Sequence, residues 1–421
     1  MARLPIPGAD GDTWGDLLNE FFRVEHEEDG RHRAGVYNVL TFGARGDGLQ
    51  DDAPAIQAAL DAAADKGGVV WLAPTDAFYR CEGPLFVPGH VALKGGYGGM
   101  RRGHKLWNEA PRGSTLYAYS SEDFITMSHN SLLDCLEIFY PNQVTAGAPI
   151  TYGWTIAIPP DQYGVTIRNV ACANPYQFIF AHADGFLIDG VQGYPLFKGI
   201  KLGRVADVPR INNIHFNPNV FPSLKPSLRD WVQQHASRLD MDMVEEFMVH
   251  NFFGYGYLRG IWFTGIADDP GLPGNYGSIS NFGFDAVMEG ILIENRGISG
   301  RQGLSLSNGR IIPFAGPVGA RAGIKFVDNL PTGDPNLSSV VSLSNGNFFS
   351  PHERSIWIGP NSRARLTMVG GQCNEYTHEA VLVESQAAAV RLVGVRTFNG
   401  IGPRINNPNG GDVADLSALT F

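Results

Sequence analysis

The chain has 421 residues, 43% of them hydrophobic, with 52 glycines, 27 prolines and a formal net charge of −10 from 32 Lys+Arg against 42 Asp+Glu. That much apolar material excludes a disordered chain, and the glycine and proline content calls for many turns. An acidic balance excludes a general nucleic-acid binder, which needs basic surface to neutralise phosphate.

The first 35 residues read as a separate unit. Thr13 is placed to cap a helix, with Asp16 at the third helical position as in a capping box. Trp14, Leu17, Leu18, Phe21 and Phe22 then fall on one helical face, and the charged run 25–33 ends it. So much aromatic surface on a short helix predicts docking or oligomerisation. A short strand follows from Tyr37, then a turn at Gly46 to Gly48. A helix over 52–66 is capped by Asp51 or Asp52, with Pro54 in its first turn and Ile56, Ala59, Leu60 and Ala63 on its buried face. Gly67-Gly68 stops it, and Val69-Val-Trp-Leu72 starts a strand. Asp47, Asp51 and Asp52 are read as turn and cap residues rather than catalytic ones.

The residues Phe42-Gly43-Ala44, Gly46-Asp47-Gly48, Asp51-Asp52, Ile56-Gln57-Ala58-Ala59-Leu60 and Gly67-Gly68-Val69-Val70 resemble the N-terminal motif of the pectate-lyase-like superfamily. That superfamily of right-handed parallel β-helices includes polysaccharide lyases, glycosidases and phage tailspikes. The resemblance implies the fold for the chain from residue 36 onward and leaves the reaction open. The opening Leu4-Pro-Ile-Pro-Gly-Ala-Asp, with Thr13-Trp-Gly-Asp-Leu-Leu-Asn, is also similar to a leader of phage tail and tail-like proteins.

An internal repeat supports the same fold independently. An apolar residue, any residue, Asn or Gly, then an apolar residue or Gly recurs at Ile167-Arg-Asn-Val170, Ile188-Asp-Gly-Val191, Ile211-Asn-Asn-Ile214, Val249-His-Asn-Phe252, Ile279-Ser-Asn-Phe282, Leu306-Ser-Asn-Gly309 and Leu343-Ser-Asn-Gly346. Copies often lie roughly 21 to 30 residues apart, a β-helix coil period. About 12 residues after most copies comes Ile-x-apolar, as at Ile179, Ile200, Ile261, Ile291, Ile324 and Ile356. The fixed offset predicts two stacked parallel sheets, with the repeated Asn at an inward turn bonding backbone of the next coil. Residues 216–247 interrupt the coils, with a helix over 224–238 and Ser227 near its cap. Residues 270–277 and 313–319 read as further long loops.

Aligned coils place residues in columns about 4.8 Å apart. One outward column reads Phe180, Lys201, Trp262, Leu292, Lys325, Trp357, Leu382, which is too apolar for a bare surface. It suits burial between copies in a trimer, or a platform on which sugar rings stack. A second column reads Gln177, Lys198, Arg259, Glu289, Ala322, Arg354, Glu379. It suits a salt ladder, or a general acid beside a cation, with Asp285 four residues before Glu289. Asp240 and Asp242 are two apart and face one side of an extended segment. His215, His235, Glu245, Glu246 and His250 are near them in sequence. Paired carboxylates suit glycosidic cleavage; a lyase needs a base on the sugar C5 proton and a cation for the carbanion. No Gly-His-Gly, Arg-Ile-Lys or Asn-Thr-Asp in the polygalacturonase arrangement is present, and the Asp268-Asp269 pair is weak support. The chain has no P-loop, no dinucleotide glycine motif on a βαβ unit and no His-Glu-x-x-His.

The sequence therefore predicts an all-β, single-stranded right-handed parallel β-helix over 36–421, with an N-terminal capping helix, a helical insertion near 224–240 and an attachment or oligomerisation segment at 1–35. The expected function is polysaccharide binding and hydrolytic cleavage, of tailspike type. The alternatives are β-elimination and a non-catalytic structural or receptor-binding role. Asp242, Asp285, Glu289, Arg259 and Asp240 are the candidate catalytic residues; Trp262, Trp357, His250, His215 and Lys201 are the candidate substrate contacts. No cofactor is expected, with calcium entering only for a lyase. The expected partners are a polysaccharide, two further copies of the chain, and a phage tail or tail-like baseplate, with no nucleic acid and no membrane insertion. No apolar signal region or membrane-length stretch is present. The expected location is extracellular or on a virion, without a classical signal peptide. Cys81, Cys135, Cys172 and Cys373 lack metal-ligand spacing and read as buried thiols.

Overall fold

The computed structural model describes residues 6, 10–26, 35–96, 113–221, 223–264, 274–295, 297–313, 322–328, 338–349 and 351–417. Asp268, Asp269 and most of the expected loops 270–277 and 313–319 lie outside these. Helix α1 spans Trp14–Glu25, but the Thr13 side chain makes no cap bond. Trp14 (47%) and Phe22 (50%) are exposed. Helix α2 spans Ala53–Ala64 and buries Ile56, Ala59, Leu60 and Ala63 against the first strands of the rod. Its capping divides between two carboxylates. Asp51 Oδ1 accepts from the Ala53 N–H at 3.1 Å, while Asp52 accepts from the Arg45 and Gly46 N–H groups at 2.7 and 3.0 Å and ties down the preceding turn.

Beyond α2 the chain winds as a parallel β-helix whose rungs carry three faces, not the expected two. On the first face Leu133, Ile167, Ile188, Ile211, Val249, Ile279, Leu306, Leu343 and Met368 pair in register rung over rung. On the second, Phe216, Gly254, Phe284, Ile311, Phe348 and Cys373 do so. On the third, Ile156, Ile179, Ile200, Leu239, Ile261, Ile291, Ile324, Ile356 and Val381 form the column. Every aliphatic side chain in the third column is at most 1% exposed. Each contributes about 1.5–3 kcal/mol by leaving water.

The repeated Asn marks the corner between the first and second faces. Asn169, Asn213, Asn251, Asn281, Asn308 and Asn345 have φ between 53° and 56°. Asn is the non-glycine residue that best tolerates this left-handed conformation, and the side chains turn outward, not inward as expected. The amides bond one another along the rod, Asn251 to Asn213 at 3.0 Å, Asn308 to Asn281 at 3.1 Å and Asn345 to Asn308 at 3.3 Å. The interruption is also shorter than expected. Helix α3, Pro226–His235, begins at a proline and has no side-chain cap, so Ser227 does not serve as one. Strand Ser237–Asp242 directly follows α3 and is a full rung of the third face.

Candidate functional site

That recovered rung places Asp240 in the outward column of the third face, between Lys201 and Trp262. Leu239 and Met241, on either side of it, point into the core at 0% exposure. Asp240 is 3% exposed because its neighbours cover it. Lys198, three positions before Lys201 on the preceding rung, bonds Asp240 Oδ2 at 2.5 Å and the Ser237 hydroxyl at 3.0 Å. The other carboxylate oxygen, Oδ1, has no hydrogen-bond partner among the described residues. A buried polar atom without a partner is costly. Asp242 is half-buried on the same strand, paired in register with Thr264. Two positions along a strand set the Asp240 and Asp242 backbones roughly 6.6 Å apart on one face.

Aromatic rings flank this pair. The Lys198 ammonium lies 5.1 Å from the Phe197 ring centroid and 4.7 Å from that of Trp262. Phe197 stacks on Tyr176 at 5.2 Å and meets Trp231 of α3 at 6.1 Å; Trp231 stacks on His235 at 4.4 Å. Trp154 and Phe180 stack at 5.5 Å on earlier rungs. The insertion that interrupts the repeat thus supplies a wall beside Asp240.

Farther along the face, Trp262 and Trp357 sit in duplicated cassettes. Arg259-Gly-Ile-Trp262 is followed one rung on by Glu289-Gly-Ile-Leu-Ile-Glu294, and Arg354-Ser-Ile-Trp357 by Glu379-Ala-Val-Leu-Val-Glu384. The bonds repeat with the residues. Arg259 donates to Glu289 at 2.9 Å and Trp262 Nε1 to Glu294 at 2.9 Å; Arg354 donates to Glu379 at 2.7 Å and Trp357 Nε1 to Glu384 at 2.7 Å. Lys325 also binds Glu289, at 3.1 Å, so both oxygens of that carboxylate are engaged. Cations lie over both indoles: Lys198 and Arg259 over Trp262, Lys325 and Arg354 over Trp357.

The remaining predicted residues lie elsewhere. Asp285 pairs with Tyr255 and Ile312 on the second face, around the corner from Asp240 and Asp242. His215 is also on the second face, edge-on to Phe253 at 5.3 Å. His250 is on the first face, its Nδ1 against the Ser280 hydroxyl. Beside it opens a groove of about 390 Å³ lined by Glu246, Tyr276, Gln302, Ser278, Ser305 and Ser342, among others. There the Tyr276 hydroxyl donates to Glu245 at 2.9 Å; partial burial and that carboxylate push its pKa up to about 12. Lys201 is half-buried in the Asp240 column. Lys198, expected in the charged column, joins the site, and Ser237, Phe197 and Trp231 complete it without having been singled out. The signal for them was Leu239-Asp-Met241, a copy of Ile-x-apolar with Leu in place of Ile.

A lateral site on one sheet of a long parallel β-helix defines the class of protein, and the likeness to pectate-lyase-like β-helices is shown. Residues 36–98 match the family model described as rhamnogalacturonase A/epimerase, pectate lyase-like. The chain is 65% identical over 61 residues to mannuronan C5-epimerase AlgE3 of Azotobacter vinelandii, covering 14% of this chain and 3% of that protein. It is 38% identical over 88 residues to depolymerase 1, capsule K30/K69-specific, of Klebsiella phage K5-2, covering 21% of this chain and 10% of that protein. These matches are a small part of either relative's length. The Dettilon tailspike protein shares the fold with a TM-score of 0.59 at 14% identity, over 90% of this chain and 73% of that one. Residues 36–98 include none of the third-face site residues, so the family match reports the fold's beginning and not its chemistry.

Proposed function

We propose that this chain is a right-handed parallel β-helix protein of tailspike type that binds and hydrolyses a bacterial or plant polysaccharide, as a homotrimer outside the cell or on a virion. The observation that carries this reading is the Asp240–Asp242 pair on one outward face. Glycosidic cleavage uses two carboxyl groups flanking the scissile bond, one as acid and one as base or nucleophile. Asp240, ion-paired to Lys198, suits the base that activates water. Asp242, with no ion pair among the described residues, suits the proton donor to the leaving oxygen. Phe197, Trp231 and Trp262 offer apolar edges to sugar C–H faces, and Lys201 and Arg259 offer donors to hydroxyls or carboxylates. The phage depolymerase relative supports a glycan substrate and a tail context.

The lyase reading rests on a different observation, the Lys201 ammonium one rung from Asp240, a cation for a C5 carbanion. The epimerase relative supports it. Among the described residues no group of three or more His, Cys, Asp or Glu is arranged to hold a metal ion. Incubation with acidic and neutral glycans separates the readings. New reducing ends alone mark a hydrolase; reducing ends with the ultraviolet band of an unsaturated uronate mark a lyase. Binding without either marks an adhesin. Asp240→Asn and Asp242→Asn each lower the cleavage rate by about 10²–10⁴. Full activity in both removes the site from the third face.

A further inference from the structure

The strand that carries Asp240 outward carries Arg238 inward. Arg238 is the largest fully buried side chain among the described residues, at 0% exposure, inside the rod. Its Nη2 reaches the Asp285 carbonyl oxygen at 3.4 Å, a long bond. Its guanidinium carbon lies 4.5 Å from the Tyr257 ring centroid and 5.5 Å from that of Phe284. Nε and Nη1 of Arg238 and the Tyr257 hydroxyl, all buried, have no hydrogen-bond partner among the described residues. No carboxylate forms an ion pair with Arg238 among them. Burial pulls its pKa down to about 9, so the group remains a cation at neutral pH.

Aromatic faces offset part of the cost of burying this charge but accept none of its N–H groups. What the donors require is an acceptor carrying negative charge. The surroundings require it to be small. A Cβ at Gly254 would sit 2.3 Å from Arg238 Nε, so that side is closed. At Gly256, next in the chain to Tyr257, a Cβ would meet nothing nearer than Tyr194 Oη at 3.9 Å and Gln233 Nε2 at 4.0 Å, so that side is open; the Tyr194 hydroxyl itself donates to the Gly256 carbonyl at 3.4 Å. Among the described residues no carboxylate bonds these donors.

We infer that the interior of the rod behind Asp240 is a binding site for a monatomic anion, chloride, held by Arg238 and Tyr257. The anion neutralises the guanidinium and completes the core at the rung where the α3 insertion enters.

The test uses the full chain. Thermal unfolding is followed at constant ionic strength while chloride replaces gluconate, an anion too large to enter. The midpoint rises with chloride and saturates. Crystals grown with bromide give an anomalous peak within hydrogen-bond distance of Arg238 and Tyr257. Tyr257→Phe removes one donor with little change of shape and raises the chloride concentration for half-maximal stabilisation several-fold. Arg238→Met abolishes the chloride dependence and the bromide peak. Equal midpoints in chloride and gluconate, with no bromide at Arg238, would mean that water or nothing meets these donors and would overturn the inference.

Discussion

At the scale of single residues the candidate site on the third face is tied by a buried contact, Lys198 to Asp240, with side-chain exposures of 14% and 5%. Removing one partner of such a pair strands the other's charge, at a cost of about 3–5 kcal/mol. Lys198→Met is therefore expected to destabilise the protein by that amount, and Lys198→Met with Asp240→Leu to recover most of it, read as denaturation midpoints. A purely exposed pair would give less than about 1 kcal/mol in both variants. Asp134 makes a second residue-scale prediction. Burial pushes its pKa up, but hydrogen bonds from Arg168, Cys135 and Asn169 outweigh burial and hold it at about 2, below the usual 3.8. Its folded-state pKa is lowered, so its stabilisation is complete above the unfolded value and fades as pH falls from about 4 to 2. Thermal midpoints of the protein and of Asp134→Asn should differ at neutral pH and converge across that window. Curves that stay parallel through it would show that Asp134 contributes no such term.

At the scale of the element, what could be read in the sequence was whatever repeats with one residue type. The Ile column of the third face and the Asn corner recur almost unchanged, so their positions were legible. So were α2, from its proline, carboxylates and Ile56/Ala59/Leu60/Ala63 stripe, and the pairing of Arg259 with Glu289. The rung 237–242 was not, because Leu239 replaces the marker Ile and follows a helix that displaces it from its expected offset. The third face count and the direction of the Asn side chains were also hidden. Both depend on φ at the corner, and spacing along the chain does not encode φ. The corner gives its own test. In the left-handed region an Ala costs about 1–2 kcal/mol while Gly costs little. Asn251→Ala should therefore lose more stability than Asn251→Gly, although both lose the bond to Asn213. An equal loss in the two variants would assign the Asn column to its ladder bonds instead of its backbone.

At the scale of the whole molecule a stack of rungs explains length and rigidity but not assembly. Each rung contacts only its neighbours, so the winding itself gives no reason for several copies to associate. Lateral features must supply one. Helix α1 presents Trp14, Phe22 and Val24 at 47%, 50% and 59% exposure, an apolar face of the kind that soluble proteins cover. The proposed trimer follows if these faces pack together. Sedimentation of the full chain should give three copies of 45.7 kDa. Trp14→Asp with Phe22→Asp should release a monomer whose far-ultraviolet circular dichroism still reports β-structure. Lys198, Asp240, Asp242 and Trp262 all come from adjacent rungs of one chain. A catalytic site built from them is complete in a single copy. The released monomer should then cleave soluble oligosaccharide at close to the trimer's rate per chain, while losing avidity for long polysaccharide. A monomer that binds and folds but no longer cleaves would place part of the site between chains, and a wild-type chain that sediments as a monomer would remove the trimer.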